Sequence, residues 1–327
     1  MKSLRRIIKI FSEQVVPSTH SVGLVYLIKE VIIYSILADR LNTLIVSPPS
    51  VGAKSTLARW LSEVAPDRFF LISGTGSITM AGVRDSIISV GNKKGLLFFD
   101  EIHRAPSQVK QLLFDLLQFH RVHIRKKLPT GHTYARDIPI NCNVIATLNP
   151  TNNPERPDYW IRYGDVSMMR NQISLDMSLL RRFHILLAIP DYTDKEFYRI
   201  ISTTDKGENK LEIAKEKIQQ LINIVKDIEP KLNDIPDFVK TYLATLKQYD
   251  EQLILPITPE LKEGIVELAK AIARISVLLE PKNYDKYKKE GIEINETHFK
   301  LALDYYTRTL LPYASTELLK KLRSLNE

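Results

Sequence analysis

The sequence is poor in the residues that form cross-links or flexible turns. Its 327 residues include 1 cysteine, Cys142, and 12 glycines. A single cysteine excludes an internal disulfide, and a metal site would have to use histidines and carboxylates. We therefore expect an intracellular, cytoplasmic protein. We expect no membrane-spanning segment either, because Lys29 and Glu30 interrupt the strongly apolar stretch 23–38.

Acidic residues are outnumbered by basic ones. The 46 lysines and arginines against 38 aspartates and glutamates give a formal net charge of +8. Such an excess attracts polyanions and makes nucleic acid or nucleotide phosphates plausible partners. The remaining composition, 44% hydrophobic and 26% charged, is that of a globular chain with one large domain or two modest ones.

Short apolar runs alternate with amphipathic stretches up to about residue 190. Their continuous apolar character indicates strands covered on both faces, as in a parallel sheet. We therefore predict an α/β fold of the P-loop NTPase type, with a five-stranded parallel sheet flanked by helices. The predicted strands are residues 43–47, 68–73, 95–99, 142–148 and 183–189.

After residue 194 helix-period segments replace the strands. The change predicts an N-terminal helical segment (1–40), an α/β core (41–200) and a C-terminal all-helical lid (201–327). Within the lid, the charged run 281–291 is interpreted as a solvated loop between helices.

The stretch TLIVSPPSVGAKSTLARW, residues 43–60, has the context of a phosphate-binding loop but not its glycines. In the pattern G-x-x-x-x-G-K-[ST], backbone N–H groups cradle phosphates, the lysine reaches the terminal phosphates and the hydroxyl binds Mg²⁺. Counting back from Lys54 places Ala53 and Pro48 at the glycine positions; alternatively, Ser47 starts the loop and Gly52 is one extra residue. The predicted nucleotide-binding residues are Pro49, Ser50, Val51, Gly52, Ala53, Lys54, Ser55 and Thr56.

Polar side chains follow two of the predicted strands, and two arginines precede the last one. Asp100, with Ser55, can hold Mg²⁺, and the adjacent Glu101 can polarise the attacking water. Asn149, after CNVIATL, can hydrogen-bond that water or the γ-phosphate. Arg181 or Arg182, before the last strand, can be delivered to the γ-phosphate of a neighbouring subunit. We predict ATP hydrolysis with Mg²⁺ at this site.

A basic hairpin is predicted in HRVHIRKKLPTGHTYARDIPIN, with its turn around Gly131. Arg125, Lys126 and Lys127 lie on the outgoing arm and are the candidate DNA-binding residues. Basic side chains that contact the phosphates of a DNA backbone give salt-dependent binding without sequence preference. The alternative is a surface hairpin that uses these charges for solubility.

Together these motifs resemble the AAA+ ATPases, in the group that carries a β-hairpin before the asparagine-bearing strand. Residues 52–83, GAKSTLARWLSEVAPDRFFLISGTGSITMAGV, look most like the AAA+ module of the mini-chromosome maintenance (MCM) helicases, which share the Ala-Lys-Ser form of the loop. LLRRFH is similar to that family's Leu-Leu-Ser-Arg-Phe-Asp, which implies Arg182 as the arginine finger. DEIHRAP is closer to the MoxR relatives. The resemblance covers about residues 40–190 and implies ATP, Mg²⁺, a hexameric homo-oligomeric ring and a hairpin that contacts DNA.

The chain also departs from these families. His184 replaces the aspartate after Arg-Phe, and Glu260 or Glu267 stands where a second sensor arginine is expected, which leaves Arg274 and Arg308 as candidates. Only about forty residues precede the first strand, so we expect no N-terminal DNA-binding domain.

Three functional hypotheses follow. The first is a ring motor on DNA. The second is a MoxR-like ATPase that remodels a protein client or assists metal insertion, so a protein client or loader is a further expected partner. The third is a degenerate scaffold subunit with weak hydrolysis, because the loop has lost its glycines.

Overall fold

The computed structural model describes residues 1–15, 24–49, 51, 54–74, 78–127, 133–151, 166–193, 195, 198 and 208–326. For residues 125–127, 133–134, 208–215 and 217 it describes the backbone alone.

A parallel sheet of five strands forms the centre of the described structure and confirms the predicted α/β fold. Its strands are β1 (Asn42–Val46), β2 (Phe69–Ser73), β3 (Leu96–Asp100), β6 (Asn143–Leu148) and β7 (Ile185–Ala188). They lie in the order β2-β3-β6-β1-β7. All residues of β1, β6 and β7 are buried, whereas β2, at one edge, is partly exposed. The continuous apolar runs in the sequence therefore mark strands covered on both faces.

Helices flank this sheet. In the first 190 residues they are α1 (Lys2–Gln14), α2 (Val25–Leu37), α3 (Lys54–Val64), α4 (Met80–Asn92), α5 (Ser107–Phe119), α6 (Val166–Gln172) and α7 (Met177–Leu180). Helix α2 packs on β1 and β6, while α3 and α4 pack on β2 and β3. A short 3₁₀ turn, Ile102–Arg104, follows β3.

The predicted hairpin is present as the antiparallel strands β4 (Arg121–Lys127) and β5 (Thr133–Pro139). Ile140 N–H donates to the carbonyl of His120 at 2.8 Å and closes the base of the hairpin. Because β6 begins three residues later, this base lies at the edge of the sheet where the parallel strands start.

The C-terminal region is largely helical. Its helices are α8 (Glu208–Val225), α9 (Asp237–Gln248), α10 (Pro259–Ser276), α11 (Tyr284–Glu290), α12 (Glu296–Thr309) and α13 (Thr316–Asn326). A two-residue parallel pair, β8 (Pro230–Lys231) and β9 (Ile292–Glu293), joins the segments before α9 and α12. The prediction of a solvated loop at 281–291 was wrong, since α11 and a 3₁₀ turn (Pro281–Asn283) occupy that run.

The N-terminal helices are packed against the C-terminal ones. Tyr305 Oη donates to the carbonyl of Leu27 at 2.9 Å, and Arg308 forms two hydrogen bonds with Glu30 at 2.8 and 2.7 Å. Glu267 of α10 accepts the backbone N–H groups of Asp39 and Arg40, just before β1. Helix α2 is thus buried between the sheet and the C-terminal helices. Among the described residues, no helix is both long and apolar enough to cross a membrane.

Candidate nucleotide-binding site

Four predicted site residues lie together at the edge of the sheet where the parallel strands end. Lys54 begins α3 after β1, Asp100 ends β3, Glu101 follows it, and Asn149 follows β6. Strands β1, β6 and β3 are neighbours in the sheet, so their carboxyl ends deliver these side chains to one place. Ligands of open α/β sheets bind at this edge.

The ammonium group of Lys54 is buried among neutral oxygens. Its Nζ donates to Ser47 O at 3.0 Å, Ser47 Oγ at 2.8 Å, Pro48 O at 3.3 Å and Asn149 Oδ1 at 2.6 Å. Burial lowers the pKa of Lys54 to about 8, and the negative charges of Asp100 and Glu101 oppose this effect. A desolvated cation that touches only neutral groups is stabilised by an anion, so the surroundings of Lys54 suit a phosphate.

Asn149 connects the lysine to a carboxylate. Its Oδ1 accepts from Lys54, and its Nδ2 donates to Glu101 Oε1 at 2.9 Å. The cation and the carboxylate fix the orientation of the amide, because only this orientation satisfies both. The lysine and the glutamate are therefore separated by one amide group.

Glu101 is held in an unusual backbone conformation. Its φ of 52° and ψ of 49° are left-handed, which costs a residue with a side chain roughly 1–2 kcal/mol. Its N–H donates to Thr147 Oγ1 at 3.0 Å, and Arg104 Nη1 lies 3.2 Å from its Oε2. A Cβ on Gly74 would lie 2.3 Å from the carbonyl oxygen of Glu101, so the chain there must be glycine. Strain supported by neighbouring contacts is typical of functional positions.

Thr147 is a site residue that the sequence reasoning missed. Its Oγ1 donates to Asp100 Oδ1 at 2.6 Å while accepting from the N–H of Glu101. Ser47, named only as an alternative start of the loop, was not predicted to hold Lys54. The available signal was a hydroxyl residue near the end of each of the runs TLIVS and CNVIATL.

The residues of the loop itself are only partly described. Pro49 is exposed and Val51 is buried, with its N–H on Pro48 O at 3.2 Å. Ser55 and Thr56 are exposed in the first turn of α3. The predicted residues Ser50, Gly52 and Ala53 lie outside the described residues.

The oxygens needed for Mg²⁺ are present in part. Asp100 uses Oδ1 for Thr147, and its other oxygen accepts no hydrogen bond from the described part of the chain. The hydroxyl of Ser55 stands in the exposed first turn of α3. No group of three His, Cys, Asp or Glu side chains able to hold a metal occurs within the described ranges. Ser55 and Asp100 are the residues that would hold a magnesium ion here, and phosphate oxygens and water would supply its other ligands.

Arg182 lies at the opposite edge of the sheet from Lys54. It precedes β7, whereas Lys54 follows β1, and these strands are parallel neighbours. Five strand residues span roughly 16 Å, so the guanidinium of Arg182 is remote from the Lys54 amine of its own protomer. It pairs instead with Glu260, in the first turn of α10, and lies 5.5 Å from the ring centre of Phe114.

The Arg182–Glu260 pair belongs to a cleft of about 860 Å³ between α10 and the amino edge of the sheet. Burial acts to raise the pKa of Glu260, but hydrogen bonds from its own N–H and from Thr258, together with Arg182, lower it overall. His184 lies beneath, where its Nδ1 accepts from Asn42 N–H, and burial lowers its pKa to about 4. A Cβ on Gly264 would lie 2.4 Å from Cβ of His184, which shows how closely α10 approaches.

The two candidate lid arginines are engaged elsewhere. Arg274 is buried and donates to the carbonyls of Leu37 and Ile228 and to Asp39. Arg308 pairs with Glu30. Within the described residues, both arginines contact the N-terminal segment and the lid and not the loop at Lys54.

The candidate DNA-binding residues lie on β4. Arg125, Lys126 and Lys127 pair in register with Ala135, Tyr134 and Thr133 of β5. The predicted turn at Gly131 lies outside the described residues. Nearer the base, Arg121 and His123 both bind Asp137 across the two strands.

Comparison with known proteins identifies distant relatives. The chain is 28% identical over 193 residues to the Holliday junction branch migration complex subunit RuvB of Mycoplasma pneumoniae, a match that covers 57% of this chain and 55% of RuvB. It is 26% identical over 226 residues to the DNA replication licensing factor MCM3 of Gallus gallus, covering 64% of this chain and 26% of MCM3. The chain thus spans about half of the one relative and a quarter of the other. Both are AAA+ ATPases, so the chain has distant AAA+ relatives. No family model matches it.

Proposed function

We propose that this chain is an ATP-hydrolysing AAA+ subunit of a homo-oligomeric, hexameric ring that acts on DNA. The observation that carries the proposal is the bridge made by Asn149, 2.6 Å from the Lys54 amine and 2.9 Å from the Glu101 carboxylate. The bridge holds an ammonium beside a carboxylate at the edge where such sheets bind ligands, which supports phosphate binding by Lys54 and water polarisation by Glu101.

Each side chain has a distinct role in this proposal. Lys54 binds the terminal phosphates, with the residues of the 49–56 loop around them. Ser55 and Asp100 hold Mg²⁺, which supplies charge neutralisation of the phosphate oxygens. Glu101 polarises the attacking water and Asn149 orients it. Positioning and electrostatic stabilisation account for the catalysis, without a covalent intermediate.

Arg182 completes the site of a neighbouring subunit in this proposal. Its place at the amino edge of the sheet supports a role outside its own protomer, because the Lys54 site lies at the carboxyl edge. An arginine supplied to the transferring phosphoryl group is worth about 10³–10⁵ in rate. The guanidinium must leave Glu260 to act there.

DNA is the proposed substrate for three reasons. The net charge is +8, the hairpin carries consecutive cations on β4, and the names of the two relatives refer to Holliday junctions and to DNA replication. In the proposal, Arg125, Lys126 and Lys127 contact backbone phosphates. Hydrolysis then moves the hairpin along the strand.

The test is the ATP turnover rate with and without DNA over a range of salt. DNA should stimulate turnover, and the stimulation should fall as salt rises. Replacing Lys126 and Lys127 with Ala should remove the stimulation but keep basal turnover, whereas Lys282 and Lys288, exposed in the lid, serve as the charge-matched control pair. Glu101→Gln should bind ATP without cleaving it. Turnover that ignores DNA, or that Glu101→Gln leaves unchanged, contradicts the corresponding part of the proposal.

A scaffold subunit is the second candidate, favoured by one observation. The Lys54 ammonium already has four oxygen neighbours, and the loop has Pro48 and Ala53 where glycines are usual. An assembled ring without turnover, with or without DNA, would support this candidate. Stimulation by a protein client and not by DNA would instead support a remodelling ATPase.

A further inference from the structure

Four cationic side chains line a second cleft, remote from the Lys54 site. The cleft has a volume of about 420 Å³. Its walls are the segments just before β2, β3 and β6 and the end of α8. The cations are Arg68, Lys93, Lys94 and Lys226.

None of these four side chains forms an ion pair with the described part of the protein. In the part of the chain that the structure describes, no carboxylate lies within 4.0 Å of any of the four cationic groups. Asp227 and Glu229 also line the cleft but are exposed and form no ion pair with them. Arg274, a fifth cation in the wall, is neutralised by Asp39 at 2.9 Å. The cleft therefore has four basic side chains without an ion pair against two such carboxylates.

The backbone beneath the cleft is tightly fixed. Leu96 N–H donates to the carbonyl of Arg68 at 2.7 Å, and a Cβ on Gly95 would lie 2.2 Å from that same oxygen. Lys94 has a φ of 49°, a left-handed conformation that glycine or asparagine adopts more readily. Its carbonyl accepts from Lys226 Nζ at 2.9 Å, which joins α8 to this turn. A rigid frame of this kind keeps the cationic groups together.

Two of the cations have hydrogen-bond donors to spare. Arg68 Nη1 is buried and has no hydrogen-bond partner among the described residues. Lys226 has donated one of its three N–H groups. Burial, followed by the charges of Arg68 and Arg274, lowers the pKa of Lys226 to about 7, against the attraction of Asp227 and Asp39. An anion in the cleft would satisfy these donors and favour the charged form of the lysine.

We propose that this cleft is a second anion site that binds a phosphate group through Arg68 and Lys226, with Lys93 and Lys94 at its mouth. A guanidinium and an ammonium that converge on one space match the several oxygens of a phosphate. Asn141, two residues after β5, also lines the cleft, so the site adjoins the base of the hairpin. The phosphate comes either from a nucleic-acid backbone or from a free oligophosphate. The proposal does not depend on ATP hydrolysis at Lys54.

The binding test uses Lys54→Ala as its background, so that the candidate nucleotide site contributes no phosphate binding. In this background, Arg68→Gln with Lys226→Gln removes two charges from the cleft. Lys282→Gln with Lys288→Gln removes two exposed charges elsewhere and is the matched control. Calorimetry measures pyrophosphate binding, and fluorescence anisotropy measures binding of a single-stranded oligonucleotide over a range of salt.

The cleft pair should weaken phosphate binding at least tenfold relative to the control pair. If the backbone of DNA is the source, the oligonucleotide should show this loss, and the slope of log K against log salt should fall by about two. If a free oligophosphate is the source, only pyrophosphate binding should fall. Equal affinities of the cleft and control variants for both probes would overturn the proposal.

A second measurement follows Lys226 in the unsubstituted cleft. In the chain labelled with ¹³C-lysine, pyrophosphate should move the titration of Lys226 to higher pH. Lys226→Gln serves only to identify the Lys226 resonance. A Lys226 titration that does not move between the free protein and saturating pyrophosphate would contradict the site even if the double variant fails to fold.

Discussion

Thr147 supports both acidic residues of the candidate site through one hydroxyl. That hydroxyl donates to Asp100 and accepts from the backbone of Glu101, whose φ is left-handed. A valine has the same shape but neither hydrogen bond. Loss of the hydroxyl therefore leaves the packing of β6 intact, frees the Asp100 carboxylate and removes a hydrogen bond that supports the Glu101 backbone.

We expect Thr147→Val to lower kcat for ATP by about ten- to a hundredfold, because misplaced catalytic groups lose that much. ATP binding should change little. Thr43→Val is the matched control: Thr43 is equally buried on neighbouring β1, and its Oγ1 has no hydrogen-bond partner among the described residues. Steady-state turnover and a melting curve for each variant decide the matter. Equal turnover in the two variants would show that Thr147 does not position the carboxylates.

Lys54 predicts a pH dependence for ATP binding. Its pKa is lowered to about 8 by burial, and only its charged form attracts phosphates. As pH rises through 8 the free protein loses this charge, so ATP affinity should fall, approaching about tenfold per pH unit well above it. Lys54→Arg stays charged in this range and should bind with a nearly constant affinity. The measurement is equilibrium binding of MgATP from pH 7 to 9.5. If the affinities of the unsubstituted protein and of Lys54→Arg decline in parallel, the role given to the Lys54 charge is wrong.

For single residues, the sequence predicted the candidate site residues at the strand ends but not the side chains that hydrogen-bond to them. Lys54, Asp100, Glu101 and Asn149 each follow an apolar run, so a parallel sheet must bring them to one edge. The role of Thr147 depends on register: Phe99 pairs with Ala146, which sets Thr147 beside Asp100. Pairing between strands that are remote in sequence is not readable from either strand alone.

Helix α11 shows how an element was missed although its signals were present. The run 281–291 was interpreted as a loop because it is dense in charge. Yet Pro281 begins the 3₁₀ turn, Asp285 lies in the first turn of the helix, and Lys288 and Lys289 lie in the last. Gly291 then ends it with a φ of 77°. These residues are the ones expected at the start and end of a helix. They indicated the structure of this run better than its high charge density did.

Helix α10 holds the candidate arginine finger through its first turn. Glu260 pairs with Arg182, and both side chains are about a quarter exposed, at 26% and 22%. The sequence placed Glu260 or Glu267 where a lid arginine is expected but could not show what either would contact. Glu267 instead binds the backbone before β1. The lid therefore supplies the Glu260 carboxylate that pairs with Arg182 and the Glu267 carboxylate that accepts hydrogen bonds from the backbone before β1.

On the proposed function, Glu260→Gln should raise ATP turnover, because Arg182 is no longer held by an ion pair in its own protomer. An ion pair at this exposure is worth up to about 1 kcal/mol, or roughly a fivefold effect. Glu263→Gln is the control, since Glu263 is exposed on the same helix and forms no ion pair among the described residues. The comparison is kcat of the assembled variants at saturating ATP. A lower kcat, or the same change in both variants, would show that Glu260 does not restrain the finger.

The arrangement of the whole molecule was only partly predictable. Continuous apolar runs determine that the strands are covered on both faces, and the parallel α/β fold follows. The order β2-β3-β6-β1-β7 does not follow, because it depends on which strands pair across long stretches of sequence. Nor could the sequence show that Glu30 binds Arg308, 278 residues away, which packs the predicted N-terminal segment into the lid.

On the proposed function, the separation of Lys54 and Arg182 determines what kind of assembly can hydrolyse ATP. They lie at opposite edges of one sheet, so a site that uses both requires two subunits in a head-to-tail contact. Lys54→Ala removes the phosphate cation from a subunit but leaves its arginine. Arg182→Ala does the reverse. Each variant alone should form a ring without turnover.

Rings assembled from equal amounts of the two variants should regain turnover. A site is complete wherever a subunit with an intact Lys54 meets a neighbour with an intact Arg182, which random mixing gives at about a quarter of head-to-tail contacts. The measurement is turnover of the mixture after co-assembly, with Lys54→Ala combined with Glu101→Gln as the control, since those two changes affect the same side of the contact and should not complement. Turnover that stays at the level of the separate variants, in rings shown by sedimentation to be mixed, would mean that Arg182 does not act across the contact.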